Sequence, residues 1–251
     1  AVPSPAQLKT IRHHFIQVKS VNDYYNASMY EKEVLECLNM LFEKYDKVIL
    51  SGGTGLYIDA VRHGIDDLPE TDPELRKSLH IRIQKEGLDS LRKELKFLDP
   101  VSYERIDLKN PKRIQKALEI SLLTGKPYSS FLNKRKKKRD FNTKLIVLNT
   151  ERNQLYSQIN KRTDQMMLEG WLEEVRMLKP YRDKNALKTV GYKELFAYLD
   201  GYFTLEEAVE KIKANTRKYA RKQITWFRKD PGYRWFKPDE LKEIMNYIHN
   251  G

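Results

Sequence analysis

The stretch Lys47-Val48-Ile49-Leu50-Ser51-Gly52-Gly53-Thr54-Gly55-Leu56-Tyr57, continued by Ile58-Asp59-Ala60-Val61-Arg62-His63, reads as a β-type run, a glycine-rich turn and a helix. Glycines at 52, 53 and 55 let the backbone come close to a ligand, and the helix N-terminus favours an anion or a polar edge. The same residues also suit a tight turn that needs φ > 0. Upstream, Met29, Val34, Leu35, Leu38, Leu41 and Phe42 recur near helical spacing, so a helix over 28–45 feeds the run. Similar β-type runs lie at 14–18, 143–149 and 233–236, and most of the remainder has helical periodicity. Strands separated by helices predict an α/β protein with a mostly parallel sheet.

Between Pro69 and Lys134 the pattern changes to helices punctuated by Thr71-Asp72-Pro73, Gly87, Asp99-Pro100, Asn110-Pro111 and Gly125-Lys126-Pro127. Asp72 and Asn110 stand as helix caps, each with proline at the first helical position. The expected organisation is a core domain over 1–67, a helical insertion over 68–133, and a second core part over 134–251 ending in basic helices. The insertion's distal border opens with six consecutive cations at 134–139, either a solvated loop or a phosphate contact.

The 251 residues carry 47 Lys and Arg against 35 Asp and Glu, a formal charge of +12 that points toward a polyanionic partner. With 40% hydrophobic residues the chain can fold around a core, which excludes a disordered class. The single cysteine, Cys37, excludes an intrachain disulfide and a multi-cysteine metal site, and is expected to be a buried helix thiol. Apolar runs reach only four or five residues, so no membrane span is expected, and the first residues lack the pattern of a secretory signal. These features predict a cytoplasmic setting.

Neither a Gly-x-x-x-x-Gly-Lys-Ser/Thr loop nor a Gly-x-Gly-x-x-Gly fingerprint occurs, so nucleotide binding does not follow from the residues themselves. His13 and His14, adjacent on a β-type run, point to opposite faces and do not converge on a metal. Arg162 could steady developing negative charge or belong to a surface ion pair. Lys112, Arg113, Gln115 and Lys116 form a donor-rich surface at the start of a helix, with Ile114 able to face the core. Lys188-Thr189-Val190-Gly191-Tyr192-Lys193 combines cations, an aromatic and a glycine, as single-stranded RNA sites often do. The basic helix over 205–228 adds further cations for a phosphate backbone.

Taken in order, these segments resemble the tRNA dimethylallyltransferase (tRNA isopentenyltransferase) family. The resemblance rests on His13-His14-Phe15-Ile16, Gly52 to Tyr57, Leu68-Pro69 with Asp72-Pro73-Glu74-Leu75-Arg76, and Asn110-Pro111-Lys112-Arg113 with Ala117-Leu118-Glu119. It continues through Gly125-Lys126-Pro127, Arg152 to Tyr156, Asn160-Lys161-Arg162, Met166 to Gly170 with Glu174-Val175, Val190 to Glu194 and Thr216 to Arg228. It implies a fold like the P-loop nucleotide-binding proteins, with a helical insertion that clasps the anticodon stem-loop. It implies transfer of a dimethylallyl group from dimethylallyl diphosphate to N6 of adenosine at tRNA position 37, with Mg²⁺ assisting the diphosphate and ligands for the ion not identifiable in these residues.

By motif position, Thr54 would contact the target nucleotide, within the substrate-site loop of Gly52, Gly53 and Gly55, and Arg162 would steady the leaving diphosphate. Arg76, residues 112–116, residues 188–193 and the basic helix toward Arg228 would hold the tRNA, and the working expectation is a monomer. The family's phosphate-binding loop and base aspartate lie N-terminal to the matched region, so either the native polypeptide extends upstream or the chain is a fragment without the catalytic machinery. Gln158 and Gln17 depart from the family's pattern. Two other classes compete: a non-catalytic tRNA-binding module, and an isopentenyltransferase of free adenine nucleotides, for which the insertion and basic helix are superfluous.

Overall fold

The computed structural model describes residues 5–70, 72–132 and 137–250. In chain order its first helices are α1 (Pro5–Thr10), α2 (Ala27–Phe42), α3 (Gly55–His63) and α4 (Pro73–Glu86). They are followed by α5 (Leu88–Leu98), α6 (Pro100–Arg105) and α7 (Pro111–Thr124). Strand β1 (Ile146–Leu148) precedes α8 (Arg152–Leu168), α9 (Trp171–Leu178), α10 (Tyr192–Leu199) and α11 (Leu205–Phe227). Strand β2 (Arg234–Phe236) and α12 (Leu241–Asn250) complete the order. Two compact units result: one of Ala1–Asn26, Ile49–Gly55 and Phe141–Gly251, the other of Ala27–Val48 and Leu56–Asp140.

In the second unit, three helices begin with the same device. Asp72, Asp99 and Asn110 each accept a backbone hydrogen bond from the first turn of α4, α6 and α7, and Pro73, Pro100 and Pro111 follow directly. Proline sits there without loss because its missing N–H would have had no partner. Leu79 of α4, Leu91 and Leu95 of α5, and Ile114, Ala117 and Leu118 of α7 close a core from which water is excluded. Each fully buried leucine contributes roughly 1.5–3 kcal/mol. Asp99 is buried beside this core, accepting from Ser102 N, Ser129 N and Ser129 Oγ at 2.7–3.0 Å.

The unit also takes in α2 and α3, so its boundary differs from the expected 68–133. Glu31 of α2 is buried and accepts from Arg139 Nη2 at 2.6 Å and from Ile65 N at 2.9 Å. Arg139 also donates to the carbonyls of Ala60 and Val61 near the end of α3. Lys137 pairs with Asp67 at 2.9 Å. The described end of the cationic run is therefore a structural tie; Lys134, Arg135 and Lys136, and with them the border at 133/134, lie outside the described residues. Cys37 is buried on α2, as its helical position suggested.

In the first unit, β1 and β2 pair in parallel, Ile146 with Arg234, Val147 with Trp235 and Leu148 with Phe236. A second core joins Val175, Leu187, Leu195, Phe196, Ala208 and Ile212 from α9, α10, α11 and the turn before α10. The mostly parallel sheet expected from four β-type runs is thus two-stranded among the described residues. Residues 14–18 cannot extend because Phe15 and Gln17 have φ of 62° and 53°. Residues 47–51 have no ladder partner among the described residues, and Ile49 is 89% exposed. A strand is a pairing between segments, and an apolar run alone does not make one.

Candidate functional site

The first unit is organised around α11. Thr204 and Glu207 cap its start reciprocally, with Thr204 Oγ1 accepting from Glu207 N and Glu207 Oε2 accepting from Thr204 N. Ala208 and Ile212 enter the core. Further along, two stripes at helical spacing diverge: Tyr219, Gln223 and Trp226 meet the glycine-rich turn, while Lys213, Arg217 and Arg221 meet α8.

Gln223 Nε2 donates to the Gly53 carbonyl at 2.8 Å, and the hydroxyls of Thr54 and Tyr219 lie 3.4 Å apart. A Cβ at Gly53 would fall on the Gln223 amide nitrogen, and one at Gly55 on the Trp226 indole. Gly52 has open space around its Cα. None of the three has positive φ. The φ > 0 reading of this turn therefore does not hold, and what comes close to Gly53 and Gly55 is the α11 side-chain stripe. Thr54 stays exposed at the turn's tip.

On the other stripe, two antiparallel rows of polar side chains interlock at four-residue spacing. Asp164 accepts from Lys213 at 2.7 Å, Asn160 Oδ1 accepts from Arg217 Nη1 at 2.7 Å, and Tyr156 Oη accepts from Arg221 Nη1 at 3.1 Å. Arg152 Nε donates to the same phenol oxygen at 3.0 Å. Lys213 is held above its ordinary range chiefly by its bond to Asp164. Tyr156 is held below its own, first by Arg152 and then by Arg221. This end of the row opens into a groove of about 650 Å³ lined by Arg152, Tyr156, Arg221, Arg228, Trp235 and Lys237, among others. The groove lies at the carboxyl ends of β1 and β2, where α/β proteins hold ligands.

Thr54 and Arg162 belong to different stretches of this surface. Thr54 stands on the Tyr219 side of α11, whereas Arg162, two residues beyond Asn160, projects from the opposite side of α8 and is exposed. Arg162 makes no ion pair among the described residues. Within 188–193, Lys188, Thr189 and Lys193 are exposed, but the middle is structural. Gly191 has φ 99° and is packed so closely under Trp171 that a Cβ would strike the indole. Its N–H donates to the buried Glu194. Val190 packs on the core, and the Tyr192 hydroxyl donates to Glu174.

In the other unit, Lys112 and Arg113 are exposed at the start of α7. The side chain of Ile114 requires correction as an RNA contact: it is 0% exposed, because its position on α7 places it with Ala117 and Leu118 in the core. Gln115 is partly spent on the Arg76 carbonyl, donating at 2.7 Å. Arg76 donates through Nε and Nη2 to the buried Glu119 carboxylate at 3.2 and 3.0 Å.

Among the described residues no group of three or more His, Cys, Asp or Glu could hold a metal ion. His13 spends Nδ1 on the Ile11 carbonyl at 2.8 Å. No described helix is long and apolar enough to cross a membrane.

The features that residue-by-residue reading passed over are Tyr156, Asn160, Gln223 and Trp235. The signal for two of them was present: Arg152, Tyr156, Asn160 and Asp164 recur every four residues, as do Lys213, Arg217 and Arg221.

Comparison with known proteins agrees with this architecture. The family model for IPP transferase matches residues 1–230. A tRNA dimethylallyltransferase 1 of Bacteroides fragilis is 50% identical over 248 residues, covering 99% of this chain and 82% of that protein. One from Phocaeicola vulgatus is 50% identical over 250 residues, covering 100% and 83%. The crystal structure of the full-length tRNA isopentenylpyrophosphate transferase of Bacillus halodurans superimposes with a TM-score of 0.67 at 33% identity, covering 99% of this chain and 79% of that one. By the family model and by identity over nearly its whole length, this chain belongs to the IPP transferase family.

Proposed function

We infer that this protein is a tRNA prenyltransferase: it transfers a dimethylallyl group from dimethylallyl diphosphate to N6 of the adenosine at tRNA position 37, beside the anticodon. The observation that carries this reading is the 50% identity to a tRNA dimethylallyltransferase over 99% of the chain. The geometry supports it. An exposed Thr54 hydroxyl at the tip of a turn fixed from behind by Gln223 is suited to meet the target nucleotide. The exposed cations of α11, together with Lys112 and Arg113 of α7, suit a phosphate backbone.

In the reaction the N6 lone pair attacks the allylic carbon, the bond from that carbon to the diphosphate oxygen breaks, and the amine proton is released. The enzyme's task is to orient N6 and to steady the departing charge, and Arg162 is assigned the second part. Mg²⁺ bound to the diphosphate would offset part of the charge that departs with it. We further assign the protein to a P-loop-type core with a helical insertion, working as a monomer in the cytoplasm.

The test is incubation of the protein with dimethylallyl diphosphate, Mg²⁺ and an anticodon stem-loop, followed by nucleoside digestion and mass spectrometry. Prenylated adenosine from a stem-loop with adenosine at position 37, and none from its guanosine counterpart, is the expected result. Prenylation independent of that base would contradict the assignment.

A further inference from the structure

Glu119 is a charged side chain on the core-facing side of α7, where its neighbours Leu118 and Ile120 are fully buried. Its carboxylate is 1% exposed and spends a single oxygen, Oε2, on both Nε and Nη2 of Arg76, at 3.2 and 3.0 Å. The other oxygen, Oε1, is buried with no hydrogen-bond partner. Arg76 compensates this charge, yet its own side chain is 41% exposed. Glu31 is buried too, but its partner Arg139 is only 12% exposed and ties α2 to α3. At Glu119 the arginine reaches solvent.

Taking a carboxylate out of water costs about as much as such a pair returns, so an apolar residue at 119 would hold the core at least as well. What the buried partner supplies is orientation. All N–H groups of a guanidinium lie in one rigid fork, so two bonds to Glu119 fix the direction of every one of them. The Gln115 amide, donating to the Arg76 carbonyl at 2.7 Å, holds the backbone of Arg76 from the same helix. Arg76 is thereby tied to the end of α7 that exposes Lys112 and Arg113.

We propose that Glu119 is a positioning residue for RNA recognition: its buried carboxylate sets the direction in which Arg76 meets a neutral acceptor of the RNA, a base or ribose atom. The proposal rests on the RNA-substrate reading above. A phosphate is the less favoured partner, because the pair of Arg76 and Glu119 carries no net charge with which to release counterions, whereas a fixed donor direction is what reading a base or ribose acceptor requires.

The experiment measures anticodon stem-loop affinity across a salt titration, the transfer rate at saturating RNA, and the urea midpoint of each variant. Glu119→Gln removes a negative charge, so an Arg76 that acted only as a charge would bind RNA more tightly. Positioning instead predicts affinity about three- to tenfold weaker, with the rate at saturating RNA kept. In an Arg76→Gln background the same change should have no further effect on affinity, and this charge-neutral double variant should keep the salt slope of the unaltered protein. Arg76→Lys keeps the ion pair but loses the fork, so it should weaken binding to a similar extent and carries the test should Glu119→Gln fail to fold. Leu118→Ala loosens the same core without removing either partner, and should lower the urea midpoint while leaving affinity alone.

Unchanged or tighter binding by Glu119→Gln, full affinity in Arg76→Lys, or an equal loss of affinity in Leu118→Ala would each overturn the positioning role and leave the function standing. A salt slope lower by about 1 in the double variant would overturn the neutral acceptor and give Arg76 to a phosphate. Failure of the unaltered protein to bind or prenylate the stem-loop would instead sink the functional reading itself.

Discussion

Gln223 Nε2 donates to the Gly53 carbonyl oxygen at 2.8 Å, joining residues 170 positions apart and fixing the glycine-rich turn to the basic helix. The turn is therefore shaped by what stands behind it, and its three glycines are not equivalent. Gly53→Ala should break the Gln223 bond and lower stability by about 1 kcal/mol. Gly55→Ala drives a methyl group into the rigid Trp226 ring and should cost about 1–3 kcal/mol. Gly52→Ala meets nothing within 4 Å and should be nearly neutral. Urea unfolding of the three variants checks the order; equal effects would show that the turn is not held this way.

Asp99 tests the helical unit through pH. Burial alone would raise its pKa, but hydrogen bonds from Ser102 and Ser129 outweigh that and hold it below its ordinary value. Its contribution is therefore present above the unfolded carboxylate value of about 3.9 and lost as pH falls through the lower folded value. Asp99→Asn turns one acceptor oxygen into a donor facing hydrogens, and should destabilise by about 1–3 kcal/mol at neutral pH. Denaturation midpoints followed from pH 7 down to about pH 2 should show an acid-dependent loss below the unfolded value that the variant lacks.

Tyr192 gives the opposite limb. Burial first, and then the Glu174 carboxylate that accepts its hydroxyl, push its pKa up to about 12. The raised value contributes stability that is full below the ordinary value of 10.0 and is lost as pH rises toward the folded one. Tyr192→Phe should flatten the decline in unfolding midpoint above pH 10, read by circular dichroism at graded alkaline pH. An unaltered decline would place the alkaline sensitivity elsewhere.

The division of labour between binding and chemistry separates two further variants. Arg162→Ala should lower transfer on the order of 10²-fold with stem-loop affinity little changed. Replacing Lys112 or Arg113 by alanine should weaken affinity by about 1–3 kcal/mol with the rate at saturating RNA retained. Single-turnover transfer beside equilibrium binding distinguishes them; equal loss of rate and affinity in Arg162→Ala would remove its role at the diphosphate.

What could be read from residues alone was local. Asp72-Pro73 and Asn110-Pro111 announce helix starts because cap and proline act within one turn, and both caps form as read. Cys37 on an apolar helix stripe is buried for the same reason. The runs at 14–18 and 47–51 have strand-like composition but no ladder partner among the described residues, because pairing depends on distant segments, and Phe15 and Gln17 adopt positive φ. At the site, Thr54 and the glycines were visible as a turn, but Gln223 and Trp226 behind them were not. Tyr156 gains its setting only when α8 and α11 pack antiparallel and bring Arg221 across to it. Gly191 looked like a recognition loop and is instead a contact point under Trp171, which no spacing in the chain foretells.

The central claim is transfer of a prenyl group to RNA, and the most direct measurement is label transfer from dimethylallyl diphosphate in one reaction set. An anticodon stem-loop with adenosine at position 37, its guanosine counterpart and free AMP are offered separately, with Mg²⁺ present. The account predicts label in the adenosine stem-loop alone. Label in AMP with none in the stem-loop, or no label beside tight stem-loop binding, would contradict it.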